Sequence, residues 1–290
     1  MNNLNVLVIL STFFVFILLA IIFSILLYIV GGSLIFAIIF SFIMMFIQWY
    51  IGPWIVKFST GAREVSEEEA PELHEMVEEI SRQAGIKKPK VCIVNSPIPN
   101  AFAFGRTQSN SYVAVHTGLL KVLNKEELKS VIAHEIGHIK HRDVFVITMA
   151  SVLPVILYWA AIILLSGRDR RNWLAVWVGG LLAQFVGQLA VLWLSRQREY
   201  FADAYSKEVM KDPVPLARAL IKITANIREE PNPAMKAFYI SEGERIPESV
   251  ISAISGGRKD IENAIRNQRE TFDLFSTHPS VIKRIKALFT

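Results

Sequence analysis

The chain has 290 residues, 52% of them hydrophobic, with a net charge of +5 and a mean hydropathy of +0.37, too apolar for an ordinary soluble enzyme. Its single cysteine, Cys92, excludes an intramolecular disulfide and a four-cysteine zinc site. The lysines and arginines are scattered or flank apolar segments and build no basic helix or aromatic-basic stripe, so no nucleic-acid partner is expected.

The apolar excess sits in four charge-free blocks, at 5–30, 33–56, 144–166 and 173–195. At a rise of about 1.5 Å per residue, blocks of roughly 22 to 26 residues match a bilayer core, so four transmembrane helices are expected, with the lipid bilayer as a partner. No positive n-region precedes the first block and no small-x-small site follows it, so it reads as a retained span, turning into the second through "VGGS" at 30–33. The chain then divides into a membrane hairpin (1–56), a soluble stretch (57–142), a second hairpin (143–195) and a second soluble stretch (196–290). An even number of crossings separates the two soluble stretches, so they face one side and can build one domain. Lys57, Arg63, Lys140, Arg142, Arg196, Arg198 and Lys207 flank the membrane on that side, against Arg168, Arg170 and Arg171 opposite. The balance makes that side cytoplasmic unless the second hairpin does not cross as a conventional pair. Gln184 and Gln188, four residues apart, give this hairpin a polar face for a protein interface or a wet cavity.

In the first soluble stretch, "VSEEEAPELHEMVEEISRQAGI" reads as a helix, with Leu73, Met76, Val77 and Ile80 on one face and Gly85 at its end. "KVCIV" at 90–94 and "SYVAV" at 111–115 are strands joined by a turn-rich connection. A further helix opens with Asn124 and Glu127 in capping-box spacing and runs through the histidines of "KSVIAHEIGHIKHRD". Pro154 should kink the third apolar helix. "REEPNPAM" and "SGGRKD" read as loops, and Pro279 of "HPS" as the first residue of the last helix.

On a helix, His134 and His138 share a face and can offer two imidazoles to one cation, while Glu135 sits to the side, within reach of a water. A hydrolytic zinc site needs one more protein ligand and an open position. Glu199 in "LSRQREYFADAYS" is the best candidate, with Asp203 one turn on. Spacing also allows the reverse assignment. His141, three residues after His138, reads as an interfacial histidine, because three ligands from one short helix would crowd the open position. His74 and His116 read as solvated or locally hydrogen-bonded.

"HEIGH" with a downstream "EYFAD", an upstream "NAFAFG" and a late "HPSVIKRI" resembles the HtpX-type membrane zinc endopeptidases, relatives of the CAAX prenyl proteases, along essentially the whole chain. The resemblance implies four membrane helices with an α+β zincin-like (gluzincin) catalytic domain, whose two parts would be 57–142 and 196–290. It implies one Zn2+ on His134, His138 and Glu199, with Glu135 as general base. It also implies an edge strand of Asn100, Ala101, Phe102 and Ala103 that receives extended polypeptide substrates. His278 would stabilise the developing oxyanion, and Arg284 would pair with Asp203 or another acid. The expected setting is the plasma (inner) membrane, with the catalytic domain cytoplasmic and a role in protein quality control and stress response. Two alternatives stand beside this reading. A prenyl-CAAX-type protease should have more membrane helices around a large chamber. A non-catalytic scaffold with a structural zinc would fill the fourth position and have no use for Glu135.

Overall fold

The computed structural model describes residues 34–165, 173–227, 240, 246–266, 268 and 273–290. The first apolar block, the "VGGS" turn, the arginines of 168–171 and "REEPNPAM" lie outside the described residues.

The described chain opens with α1 (Leu34–Thr60), 27 residues long, and the short strand β1 (Arg63–Glu64). Helix α2 (Pro71–Ala84) starts at the proline, later than the sequence pattern implied, because the chain turns at Glu67 to Glu69. It buries Leu73, Met76, Val77 and Ile80, and Gly85 ends it in the left-handed conformation (φ 68°) that glycine adopts without a Cβ penalty. Strands β2 (Lys90–Val94), β3 (Ala101–Thr107) and β4 (Asn110–His116) follow. The connection expected between two strands thus contains a third. The sheet order is β1-β2-β4-β3, with β2 and β4 parallel and β3 antiparallel to β4, so β3 is an edge strand.

After α3 (Thr117–Val122), helix α4 (Lys125–Lys140) begins with the capping box expected: Asn124 and Glu127 each accept the other's backbone N–H at 2.9 Å. Arg142, at φ 57°, breaks the helical path before α5 (Asp143–Ala150). The next helix, α6 (Leu153–Leu165), starts one residue before Pro154, so the expected kink is a full break at Ser151 and Val152.

Helix α7 (Trp173–Met210) runs 38 residues without interruption, about 57 Å at the standard rise. It is followed by α8 (Val214–Asn226), α9 (Glu248–Ser252), α10 (Arg258–Arg266) and α11 (Val281–Phe289). Ser280 caps α11, accepting from Lys283 N, which leaves Pro279 outside the helix instead of at its first position.

Among the described residues, two helical runs are long and apolar enough to cross a membrane, 143–165 and 173–210. They pack closely where Gly180 meets Tyr158 and Gly187 meets Pro154. Gln184 and Gln188 are exposed, so Gly180 and Gly187, not the amides, make the contact with the neighbouring helix. The main core combines residues from both soluble stretches: Val77, Ile80, Val131, Ile132 and Ile136 pack in one cluster with Leu220, Ile221, Ile223, Ile261 and Ile285. Helix α4 therefore lies under α7 and α8, and its histidine face is covered by chain that follows the second hairpin.

Candidate active site

Three elements converge on His134 and His138. α4 carries both histidines and Glu135, α7 carries Glu199 and Asp203, and α11 carries Arg284. Gly137 permits the approach, since a Cβ there would sit 3.2 Å from Ala202 Cα on α7. One ligand atom each from His134, His138 and Glu199 lies within 4.8 Å of the others. The two Nε2 atoms are 3.1 Å apart, and the Glu199 carboxylate is 3.6 Å from His134 Nε2 and 3.4 Å from His138 Nε2.

Each imidazole is held from behind. Asp203 Oδ1 lies 2.9 Å from His134 Nδ1, and Asp143 Oδ2 lies 2.7 Å from His138 Nδ1. Both rings thereby present Nε2 to Glu199, the carboxylate–histidine arrangement that orients imidazoles toward a metal. Asp143 in turn pairs with Arg198 Nε at 2.6 Å and with Arg198 Nη2. Arg284 is fully buried. It donates to Asp203 from Nε at 2.9 Å and Nη2 at 2.7 Å, and its Nη1 lies 3.2 Å from Glu199 Oε2 and 2.9 Å from the Ile240 carbonyl.

The site fits a divalent cation on two further grounds. Glu199 Oε2, although buried, has no hydrogen-bond partner among the described residues. Counting charges with neutral imidazoles, four carboxylates (Glu135, Asp143, Glu199, Asp203) face two guanidiniums (Arg198, Arg284), leaving two negative charges in a buried site. Uncompensated buried charge is costly, and a divalent cation offsets it. Without one, a proton takes its place. Burial opposes charging His134, but Asp203 and Glu199 outweigh it and raise its pKa to about 10. Burial also pushes the Glu135 carboxyl above its usual range, against the opposing pull of the two histidines and a hydrogen bond with the Ala103 backbone.

His278 precedes α11 and places Nδ1 3.2 Å from Glu199 Oε1. Both of its ring nitrogens are buried and unsatisfied among the described residues. The loop that carries it is gripped by Arg196 on α7, whose Nη1 donates to the carbonyls of Asp273, Leu274 and Ser276 at 3.1, 2.9 and 3.0 Å. Arg196 and Arg198, counted by sequence as juxtamembrane charge, are thus tied into the site. Asp143 was missed, although its place five residues after His138 at the helix end was a usable signal. His141 stays out of the cluster, with its ring against Phe201 and Tyr205. His74 and His116 are hydrogen-bonded to the carbonyls of Val65 and Ile98 at 3.0 and 2.9 Å.

Asn100 is buried. Its side chain accepts from Ile240 N at 3.0 Å, and its carbonyl accepts from His116 N at 2.9 Å. In an antiparallel ladder with that bond in place, Phe102 and Phe104 exchange bonds with β4, while Ala101, Ala103 and Gly105 turn their backbone N–H and C=O to the open edge. That edge faces α4, since Ala103 and Gly105 line one cleft with His138 and Ile139.

The model of Peptidase family M48 matches residues 67–290. A protein named Protease HtpX homolog from Methanothermobacter thermautotrophicus is 45% identical over 200 residues, covering 68% of this chain and 76% of that one. Homologs of the same name from Pyrococcus furiosus (39% identical, 90% of this chain and 88% of that one) and Moorella thermoacetica (37%, with 87% and 82% covered) are similar along most of their length. The crystal structure of S. mikatae Ste24p shares the fold with a TM-score of 0.55 at 17% identity, over 94% of this chain and 66% of that one. A family match across 67–290, together with relatives this similar, shows that the chain belongs to peptidase family M48, as a membrane-associated metallopeptidase.

Proposed function

We propose that the chain is a zinc endopeptidase that cuts membrane or misfolded proteins at the bilayer surface, with His134, His138 and Glu199 holding the metal. The carrying observation is the convergence of these three residues on one point, with Glu199 Oε2 buried and without a hydrogen bond among the described residues. Zinc at this point would supply Lewis acidity, polarising a peptide carbonyl and lowering the pKa of water toward about 7. Glu135 then takes the proton of the attacking water and passes it to the departing amine, a role favoured by the raised affinity of its buried carboxyl for a proton. His278, whose Nε2 makes no hydrogen bond among the described residues, stabilises the developing oxyanion. Asp203, held by Arg284, fixes the His134 ring. The open edge of Asn100, Ala101, Phe102 and Ala103 binds the substrate by strand addition.

The α+β gluzincin domain is built from 57–142 and 196–290, and four helices cross the plasma (inner) membrane with this domain cytoplasmic. The charge-free blocks at 5–30 and 33–56, the spans at 143–165 and 173–210, and the basic residues beside them support that reading. Protein quality control is the role implied by the HtpX homologs. The test is Glu135→Gln in detergent after metal depletion and zinc return. Both proteins should bind one zinc per chain, and only wild type should cut casein. A variant that cuts as well as wild type would remove Glu135 from the mechanism. Zinc bound by both with cleavage by neither would favour a structural metal.

A further inference from the structure

The open edge of β3 has two unlike ends. At its N-terminal end, Asn100 is anchored to Ile240 inside the main core. At its C-terminal end it opens into an apolar cleft of about 500 Å3 lined by Trp49, Gly105, Arg106, Ile139, Val144 and Phe145. One wall of this cleft is the end of β3 with Ile139 of α4, and the other is formed by Trp49 on α1 with Val144 and Phe145, residues of apolar helices. Trp49 on α1 donates to the Arg106 carbonyl at 3.1 Å, and Arg106 Nε donates to the Tyr50 carbonyl at 2.7 Å with its guanidinium 4.4 Å above the Tyr50 ring. Val144 and Phe145, 44% and 53% exposed, open the span that begins at Asp143. Tyr50, Trp54 and Phe58 are exposed aromatics along the same end of α1, the residue type that settles at headgroup level. The C-terminal end of β3 therefore lies at the membrane, and its N-terminal end lies in the soluble core.

We infer that this cleft receives the part of the substrate N-terminal to the cut, so that a membrane-anchored substrate is held with its span upstream of the scissile bond. The inference rests on the endopeptidase reading. A peptide added to the edge of β3 runs antiparallel, as β4 does on the other side and as most strand pairs do, by about two- to three-fold over parallel ones. Ala103 and His138 line the same cleft, so the reacting bond lies near Ala103. Antiparallel to β3, residues before that bond pass Gly105 and enter the apolar cleft toward the bilayer, and residues after it pass Ala101 toward Ile240. A substrate anchored on its C-terminal side would have to bring its span to the soluble end of the edge. Its span and its cleavable stretch could not be engaged together, and the gain from anchoring would be lost.

The test uses full-length protein in mixed micelles with three substrates that share one casein-derived cleavable stretch. The first carries an apolar span ahead of the stretch, the second carries the same span after it, and the third has no span. Span-first should be cut at least about tenfold faster than span-last, with span-last no faster than the free stretch. Mass spectrometry of the products should place the cut downstream of the span. Equal rates for the two anchored substrates, or a preference for span-last, would overturn the inference while leaving the protease intact. Loss of cleavage of all three, including the free stretch, would remove the endopeptidase reading and the inference with it.

Discussion

Replacing Arg284 with methionine keeps the aliphatic stem and removes the cation. Two hydrogen bonds to Asp203, at 2.9 and 2.7 Å, a bond of 2.9 Å to the Ile240 carbonyl and the 3.2 Å approach to Glu199 disappear together. Asp203 and Glu199 are 2% and 5% exposed, so water cannot replace the guanidinium. Breaking a buried pair by deleting one partner costs about 3–5 kcal/mol, most of it the penalty on the stranded charge. Arg284→Met/Asp203→Asn removes one charge of each sign and leaves an amide oxygen for His134 Nδ1. Its deficit is then set by lost hydrogen bonds at about 1 kcal/mol each, so roughly half of the lost stability should return. The assay is thermal unfolding in detergent followed by tryptophan fluorescence, with EDTA present so that no cation compensates. At slightly under about 2 °C per kcal/mol for a chain of this size, the single variant should melt roughly 5 to 8 °C below wild type. A single variant within about 1 kcal/mol of wild type, or a double variant less stable than the single, would refute the stranded-charge account.

Asp143→Asn should lower zinc affinity about 10- to 100-fold, because Asp143 orients His138 through a 2.7 Å contact, and should lower the melting temperature too, because Arg198 loses its carboxylate; equilibrium dialysis against a metal buffer reads the first, and unchanged affinity would detach Asp143 from the site. Zinc uptake should release protons. In the metal-free site the imidazolium of His134, disfavoured by burial but favoured more strongly by Asp203 and Glu199, keeps its proton up to about pH 10, and a metal ligand must be neutral. Affinity should therefore fall as pH drops from 8 to 6, and calorimetry in two buffers of different ionisation enthalpy should give different heats; equal heats would contradict this. Cys92 is wholly buried on β2, and burial pushes its thiol up to about 11, so iodoacetamide at pH 8 should label it only after denaturation. Labelling of the folded protein at the rate of a free thiol would show that the sheet opens.

Where a local rule carried enough information, the sequence could be read closely. The capping box at Asn124, the buried stripe of Leu73, Met76, Val77 and Ile80, and Gly85 as a helix end all follow from chemistry within a turn or two, and each is present. Membrane blocks follow from composition, and the last three can be compared with described structure, where each is helical: Leu34–Thr60, 143–165 and 173–210. Reading failed where a residue's role is set by a partner far along the chain. Residue pattern alone did not reveal β3, and only the family resemblance pointed to an edge strand there, because Ala101 to Thr107 has a weak strand pattern and gains its place from pairing with β4. Asp143 resembled the polar edge of a membrane block, and Arg196 and Arg198 resembled orientation signals, until the carbonyls of 273–276 and the Asp143 carboxylate were set against them. Spacing alone placed Glu199 and Asp203 on one helix face. Which of them faces the imidazole Nε2 atoms and which backs a ring depends on how α7 crosses α4.

The grouping of the site by position along the chain bears on how it comes into being. A ribosome delivers His134, Glu135 and His138 first, then the whole second hairpin, then Glu199 and Asp203, and only after a further 80 residues Arg284, which neutralises them. A half-made chain therefore holds a two-histidine helix with neither its carboxylate partner nor the core of α8, α10 and α11 that covers it. The site is complete only once α11 has brought Arg284 against Glu199 and Asp203, so this helix acts as its closing latch.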